Sequence, residues 1–329
     1  MRFLTMANSF RNEQDILDAL KLLETLRSVN SFRSVQNILE ASRRGDSLYS
    51  IFQRLEHSEF LLKEQQMTAF ELLSEILLSS LTEEKAQELS QFPTEVLEIY
   101  SSVLSTSIAQ ILAQFKGRYL SLNRLQEIDD SIAKGLSQFQ GRERFSSRLY
   151  LNGLQTIDEL TAKALSQFQG AELSLNGLQQ INETIAKALS QFRRALSLDG
   201  LQQLDESTTK ALSQFEGYYL SLEGVQQIDN AVAKALSKYG GERLYLNGLE
   251  EINESLAKIF AQFQCTNLYL NGLKQINETN VKALAQFQGK WLFLNGLQQI
   301  NETTAKAFAQ YKGIIIAREK IEAQIKKYK

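Results

Sequence analysis

Between Leu120 and Gly313 one unit of about two dozen residues is written eight times. Its clearest copy runs Leu173-Ser-Leu-Asn-Gly-Leu-Gln-Gln-Ile-Asn-Glu-Thr-Ile-Ala-Lys-Ala-Leu-Ser-Gln-Phe192. The first leucine recurs at Leu120, Leu149, Leu173, Leu196, Leu220, Leu244, Leu268 and Leu292, 24 residues apart except for one interval of 23 and one of 29. A period of this length means a solenoid: no unit can bury its apolar face alone, and stacking joins those faces into one core. The pattern turns the question of function from a pocket to a surface.

Each unit reads as a strand followed by a helix. Leu-x-Leu puts both leucines on one face of a short strand, because strand side chains alternate. Asn-Gly follows in five copies, as at Asn176-Gly177, where glycine is expected to take positive φ and turn the chain out of the sheet. Asn or Asp then stands in a helix-capping slot at Asp129, Asp158, Asn182, Asp205, Asp229, Asn253, Asn277 and Asn301. A helix of roughly ten residues is expected, buried through positions such as Ala186, Leu189 and Phe192. The closing aromatic persists from Phe92 and Phe115 to Tyr311, so degenerate units precede the eight clear ones, over Leu97–Phe115 and Leu78–Phe92. Gly170, Gly217, Gly289 and Gly313, two residues past the aromatic, read as left-handed helix stops.

These residues resemble the leucine-rich repeat family in an abbreviated bacterial form, L-x-L-x-G-L-x-x-I, over about residues 76–316. The commonest pattern of that family places an asparagine three residues after the strand pair, whereas here Asn follows the second leucine directly, as in Leu175-Asn176. The resemblance implies an α/β solenoid, a horseshoe with a concave parallel sheet and convex short helices. Packing widths agree, since strands stack at about 4.8 Å and helix axes need roughly 8–10 Å.

The flanks are different. Residues 1–75 do not repeat and carry helical spacing, as at Ile16, Leu17, Leu20, Leu23 and Leu26. They read as a small all-α cap or docking module, ahead of the repeats at 76–313. Ile314-Ile315-Ile316 reads as a last strand, with Ile316 placed 24 residues after Leu292, and a basic capping helix completes 314–329.

Composition narrows the chemistry. With one cysteine, Cys265, and one histidine, His57, disulfide frameworks, zinc sites and Ser-His-Asp or Cys-His catalysis find no residues. No catalytic residue, metal site or cofactor is expected. No apolar run near the start resembles a secretory signal, so the expectation is a cytoplasmic protein, or one delivered without a Sec-type signal peptide. Residues 96–317 hold 21 basic and 21 acidic side chains and no basic stripe, which disfavours nucleic acid as a main partner. The lysine in every helix, such as Lys187, has Asp or Glu four residues earlier in seven of eight copies and reads as a solvated convex face. Four Asn-Glu-Thr/Ser sequences match the glycosylation acceptor but are already explained as helix caps.

The candidate site lies on the concave face. Residues flanking the first leucine of each strand point outward, and the C-terminal third gathers Tyr219, Arg243, Tyr245, Tyr269, Trp291 and Phe293. Clusters of Tyr, Trp and Arg are the chemistry of binding hot spots, although aromatics also suit strands for their own sake. The extra residues of the longest interval form a loop whose Arg142, Arg144, Phe145 and Arg148 make a possible secondary contact. The expected function is a non-catalytic scaffold for a protein or peptide. The alternatives are carbohydrate or cell-envelope recognition, and the substrate-recognition part of a bacterial effector.

Overall fold

The computed structural model describes residues 81–143 and 145–329. The helical region expected over 1–75, with His57, lies outside the described residues, as do Leu78 and Arg144. After helix α1 (Glu83–Ser90), strands and helices alternate to the end. The strands are β1 (Val96–Glu98), β2 (Tyr119–Ser121), β3 (Arg148–Tyr150), β4 (Glu172–Ser174), β5 (Ala195–Ser197), β6 (Tyr219–Ser221), β7 (Arg243–Tyr245), β8 (Asn267–Tyr269), β9 (Trp291–Phe293) and β10 (Ile314–Ile316). The helices between them run from α2 (Thr106–Leu112) to α10 (Glu302–Ala309), each seven or eight residues long, and α11 (Glu319–Lys326) closes the array.

All ten strands form one parallel sheet in chain order, with the first leucines in register from Leu97↔Leu120 to Leu268↔Leu292. Behind the sheet, Leu173, Leu175, Leu178, Ala186, Leu189 and Phe192 of the clearest unit are fully buried, as are their equivalents along the stack. Every expected capping residue accepts a hydrogen bond from the amide three residues on, at 2.7–2.9 Å, each contributing about 1 kcal/mol. Six of the helix lysines pair with the acid one turn earlier, as Lys258 does with Glu254 at 2.5 Å.

Curvature can be read from the spacing of equivalent side chains. On the concave side the rings of Tyr245 and Tyr269 lie 4.0 Å apart and those of Tyr269 and Phe293 3.9 Å. Behind the sheet the closing aromatics repeat at 6.1–6.2 Å, as in Phe115–Phe139–Phe168–Phe192, on the way to the wider helix layer. The stack is broken at Phe263, which packs edge-on against Phe260 instead, and there Cys265 fills the slot that glycine holds in most units.

Two expectations about glycine fail. Among the described residues only Gly141 has positive φ, +62°, in the long loop. The glycine after the ladder residue is needed for close approach between units: a Cβ on Gly177 would lie 2.3 Å from the Asn152 carbonyl oxygen and 2.5 Å from that of Leu154. The glycine past the aromatic has the same cause, since a Cβ on Gly217 would meet the Arg194 carbonyl and the Phe215 ring at 2.1 Å.

The asparagine after the second leucine builds a ladder. Asn152 Oδ1 accepts the Asn176 amide at 2.9 Å, and Asn176 Oδ1 accepts that of Asp199 at 2.9 Å. Asp199 in turn accepts from Glu223, and farther along Asn247 and Asn271 serve Asn271 and Asn295. Glu223 interrupts the series, using its carboxylate to accept from the Asn247 side chain at 2.6 Å.

The last strand is shifted by one residue from expectation. Ile315, not Ile316, pairs with Leu292, and Ala317 takes the second core slot. Three consecutive isoleucines have no hydropathy contrast, so packing alone decides their register. The free edge of β10 is blunted by the terminal helix: Glu322 accepts the Ala317 amide at 3.1 Å, and Lys329 donates to the Gly313 carbonyl at 3.3 Å.

Candidate partner-binding face

Two rows of side chains floor the concave face, one on each side of the first leucine. In units β4 to β6 the second row is Ser174, Ser197 and Ser221, and these serines are buried although they face outward. Each donates to the ladder residue of the unit before: Ser174 to Asn152 at 2.7 Å, Ser197 to Asn176 at 2.8 Å and Ser221 to Asp199 at 2.5 Å. That stretch is therefore committed to the scaffold. Toward the N-terminal end the first row holds an internal ion pair between β3 and β4, Arg148–Glu172 at 3.4 Å, with Arg148 also 5.3 Å from the centroid of Tyr119 on β2.

From β7 onward aromatics replace the serines. Tyr245, Tyr269 and Phe293 stack face to face, with interplanar angles of 18° and 8°, and Trp291 lies alongside Phe293 at 6.1 Å. All four are half-buried, and β10 extends the strip with half-buried Ile316 and with Ile314, 42% exposed. Burial, then hydrogen bonding with Tyr245, pushes the Tyr269 hydroxyl up to about 12, so Tyr269 stays neutral across physiological pH.

Each residue singled out from sequence has a definite place. Tyr245, Tyr269, Trp291 and Phe293 come together as one strip. Tyr219 stands at its edge, its ring meeting Tyr245 edge-on at 5.5 Å. The small Ala195 separates Tyr219 from Glu172 in the register, and burial, then the Glu172 carboxylate, push its hydroxyl well above the usual range. Arg243 lies 4.9 Å over the ring of Tyr218 and 3.6 Å from Glu242. In the long loop Arg142 reaches Glu95 at 3.6 Å, and Phe145 is 59% exposed beneath Arg194 at 4.6 Å, while Arg148 belongs to the sheet network. The loop and the strip occupy different repeats and do not form one site.

Sequence reasoning missed Tyr218, Ile314, Ile316 and Asn267. The last is 7% exposed in the first row, between Arg243 and Trp291, and its Oδ1 has no hydrogen-bond partner. The usable signal was its position, a carboxamide in the outward row between an arginine and a tryptophan.

Among the described residues no group of three or more His, Cys, Asp or Glu side chains could hold a metal ion, and no helix is long and apolar enough to cross a membrane. No protein-family model and no curated protein matches the sequence. A solved structure does: the leucine-rich repeat-containing protein LegL7 from Legionella pneumophila, with a TM-score of 0.53 at 16% identity, over 74% of this chain and 93% of that one. The chain is a leucine-rich-repeat solenoid. Identity this low establishes the shared architecture and nothing about ligands. In this architecture each short strand supplies two outward positions, so the open face of the sheet is built as two rows of side chains.

Proposed function

We propose that this leucine-rich-repeat chain is a non-catalytic scaffold that binds a protein or peptide through its concave face, chiefly the C-terminal third. The observation that carries this reading is the aromatic strip of β7 to β9. Three large side chains, Tyr245, Tyr269 and Phe293, stay half-open to solvent where the equivalent positions in β4 to β6 hold small buried serines, and half-buried Trp291 lies beside them. Half-open aromatic clusters of this kind are typical of interaction sites. A cytoplasmic location belongs to the same proposal, as does a polypeptide rather than nucleic acid as the partner.

The test is the triple replacement of Tyr245, Tyr269 and Phe293 by serine. Serine is native to this row, and at 269 and 293 it could donate to Asn247 and Asn271 as Ser174 does to Asn152. The variant should keep a cooperative thermal transition and fail to recover the partner from a native lysate. Undiminished recovery would reject the strip as the site.

A further inference from the structure

The strip also carries information about what it binds, and this step rests on the concave-face reading above. Aromatic side chains recognise sugars and nucleobases by offering ring faces for stacking. In the Tyr245–Tyr269–Phe293 row those faces are already used, at 4.0 and 3.9 Å from one another. The outer face of Tyr245 meets the Tyr219 ring edge-on, and Phe293 has Ile316 as its next neighbour in the register. The row therefore presents ring edges and aliphatic carbon.

Charge points the same way. Of the eight outward positions on β7 to β10, Arg243 alone is charged, and Glu242 and the Tyr218 ring already attend it. A strongly acidic or basic ligand would find no unbalanced charge to meet. Set in this floor are two unmet needs, side by side in the register. The buried Oδ1 of Asn267 lacks a donor, and the buried Nε–H of Arg243, 3.6 Å from Glu242, lacks an acceptor, a pair that the N–H and C=O of a polypeptide main chain can meet together. An unpaired buried acceptor is costly, and a partner supplying an N–H relieves that cost.

We infer that the strip takes an uncharged polypeptide segment with aliphatic side chains, and that Asn267 accepts a main-chain N–H from it once the half-buried Arg243 or Trp291 gives way. Asn267 is thus a specificity-determining residue. Its near-isosteric replacement by leucine removes the need for a donor and should leave the fold as stable or more so.

The experiment selects a displayed random-peptide library on the full chain, synthesises the enriched peptides and measures their affinities by fluorescence anisotropy, with a glycan array in parallel. The expected result is enrichment of Leu, Ile and Val without charged runs, binding lost in Tyr269→Ser, and affinity lowered roughly three- to tenfold in Asn267→Leu with an unchanged or raised Tm. Enriched peptides dominated by Asp, Glu, Lys or Arg would overturn the inference, as would undiminished affinity in Asn267→Leu. Glycan binding abolished by Tyr269→Ser would overturn it while leaving the concave site intact. Peptides whose affinity ignores Tyr269→Ser would instead sink the concave-face reading itself.

Discussion

Replacing Gly177 separates two explanations of the glycine that follows each ladder residue. If it served to adopt positive φ, asparagine would be a fair substitute, because Asn tolerates the left-handed region. If it serves close approach, any Cβ is excluded. The geometry favours the second: the added atom would lie 2.3 and 2.5 Å from two carbonyl oxygens of the preceding unit. That is roughly an ångström inside the usual 3.5 Å contact. Both obstacles are backbone, so no rotamer change relieves them, and the cost falls at the upper end of overpacking, about 3 kcal/mol. For a domain of this size the melting temperature should fall by roughly 6–12 °C. Gly240→Ala is the control, with nothing within 4 Å of the new Cβ and an expected gain of about 0.4–1 kcal/mol. Thermal and urea denaturation followed by circular dichroism would read all three variants. A Gly177→Asn protein as stable as the parent, with Gly177→Ala destabilised, would refute the close-approach reasoning.

Two further outcomes follow from the structure. Burial pushes the Cys265 thiol up to about 12, and the Tyr269 hydroxyl also to about 12. The unfolded chain releases these protons first, so stability present below about pH 9 should fall as pH rises toward 12, by up to about 1.4 kcal/mol per pH unit from Cys265. Alkaline denaturation that is equally steep in Cys265→Ala would contradict this. Glu322→Ala should expose the outward Ala317 amide of β10 and produce concentration-dependent association in sedimentation velocity. A strictly monodisperse variant would show that the edge is protected otherwise.

Much of this molecule was legible because its determinants are local. The alternation in Leu173-Ser-Leu175, the cap at Asn182 and the stripe ending at Phe192 each follow from one residue and its near neighbours. What escaped depends on distances between units. The glycines were correctly singled out for the wrong reason, since the approach of Gly177 to the Asn152 carbonyl is a property of stacking. The ladder was missed although its residues recur in phase, because its bonds link residues 23 to 29 positions apart, Asn123 to Asn152 being the longest. Register at β10 was misread because Ile314, Ile315 and Ile316 are alike in hydropathy. In the candidate site, sequence could name Tyr245, Tyr269 and Phe293 but not show that their faces are spent on each other. Nor could it show that Asn267 is left without a donor.

The central claim, that the aromatic strip is the recognition surface, is tested most directly by site-specific photocross-linking. A benzophenone amino acid would replace Phe293 in one variant and Lys258, on the helical face, in another. The account predicts covalent capture of a polypeptide from position 293 and none from position 258. Capture from 258 with nothing from 293 would contradict it.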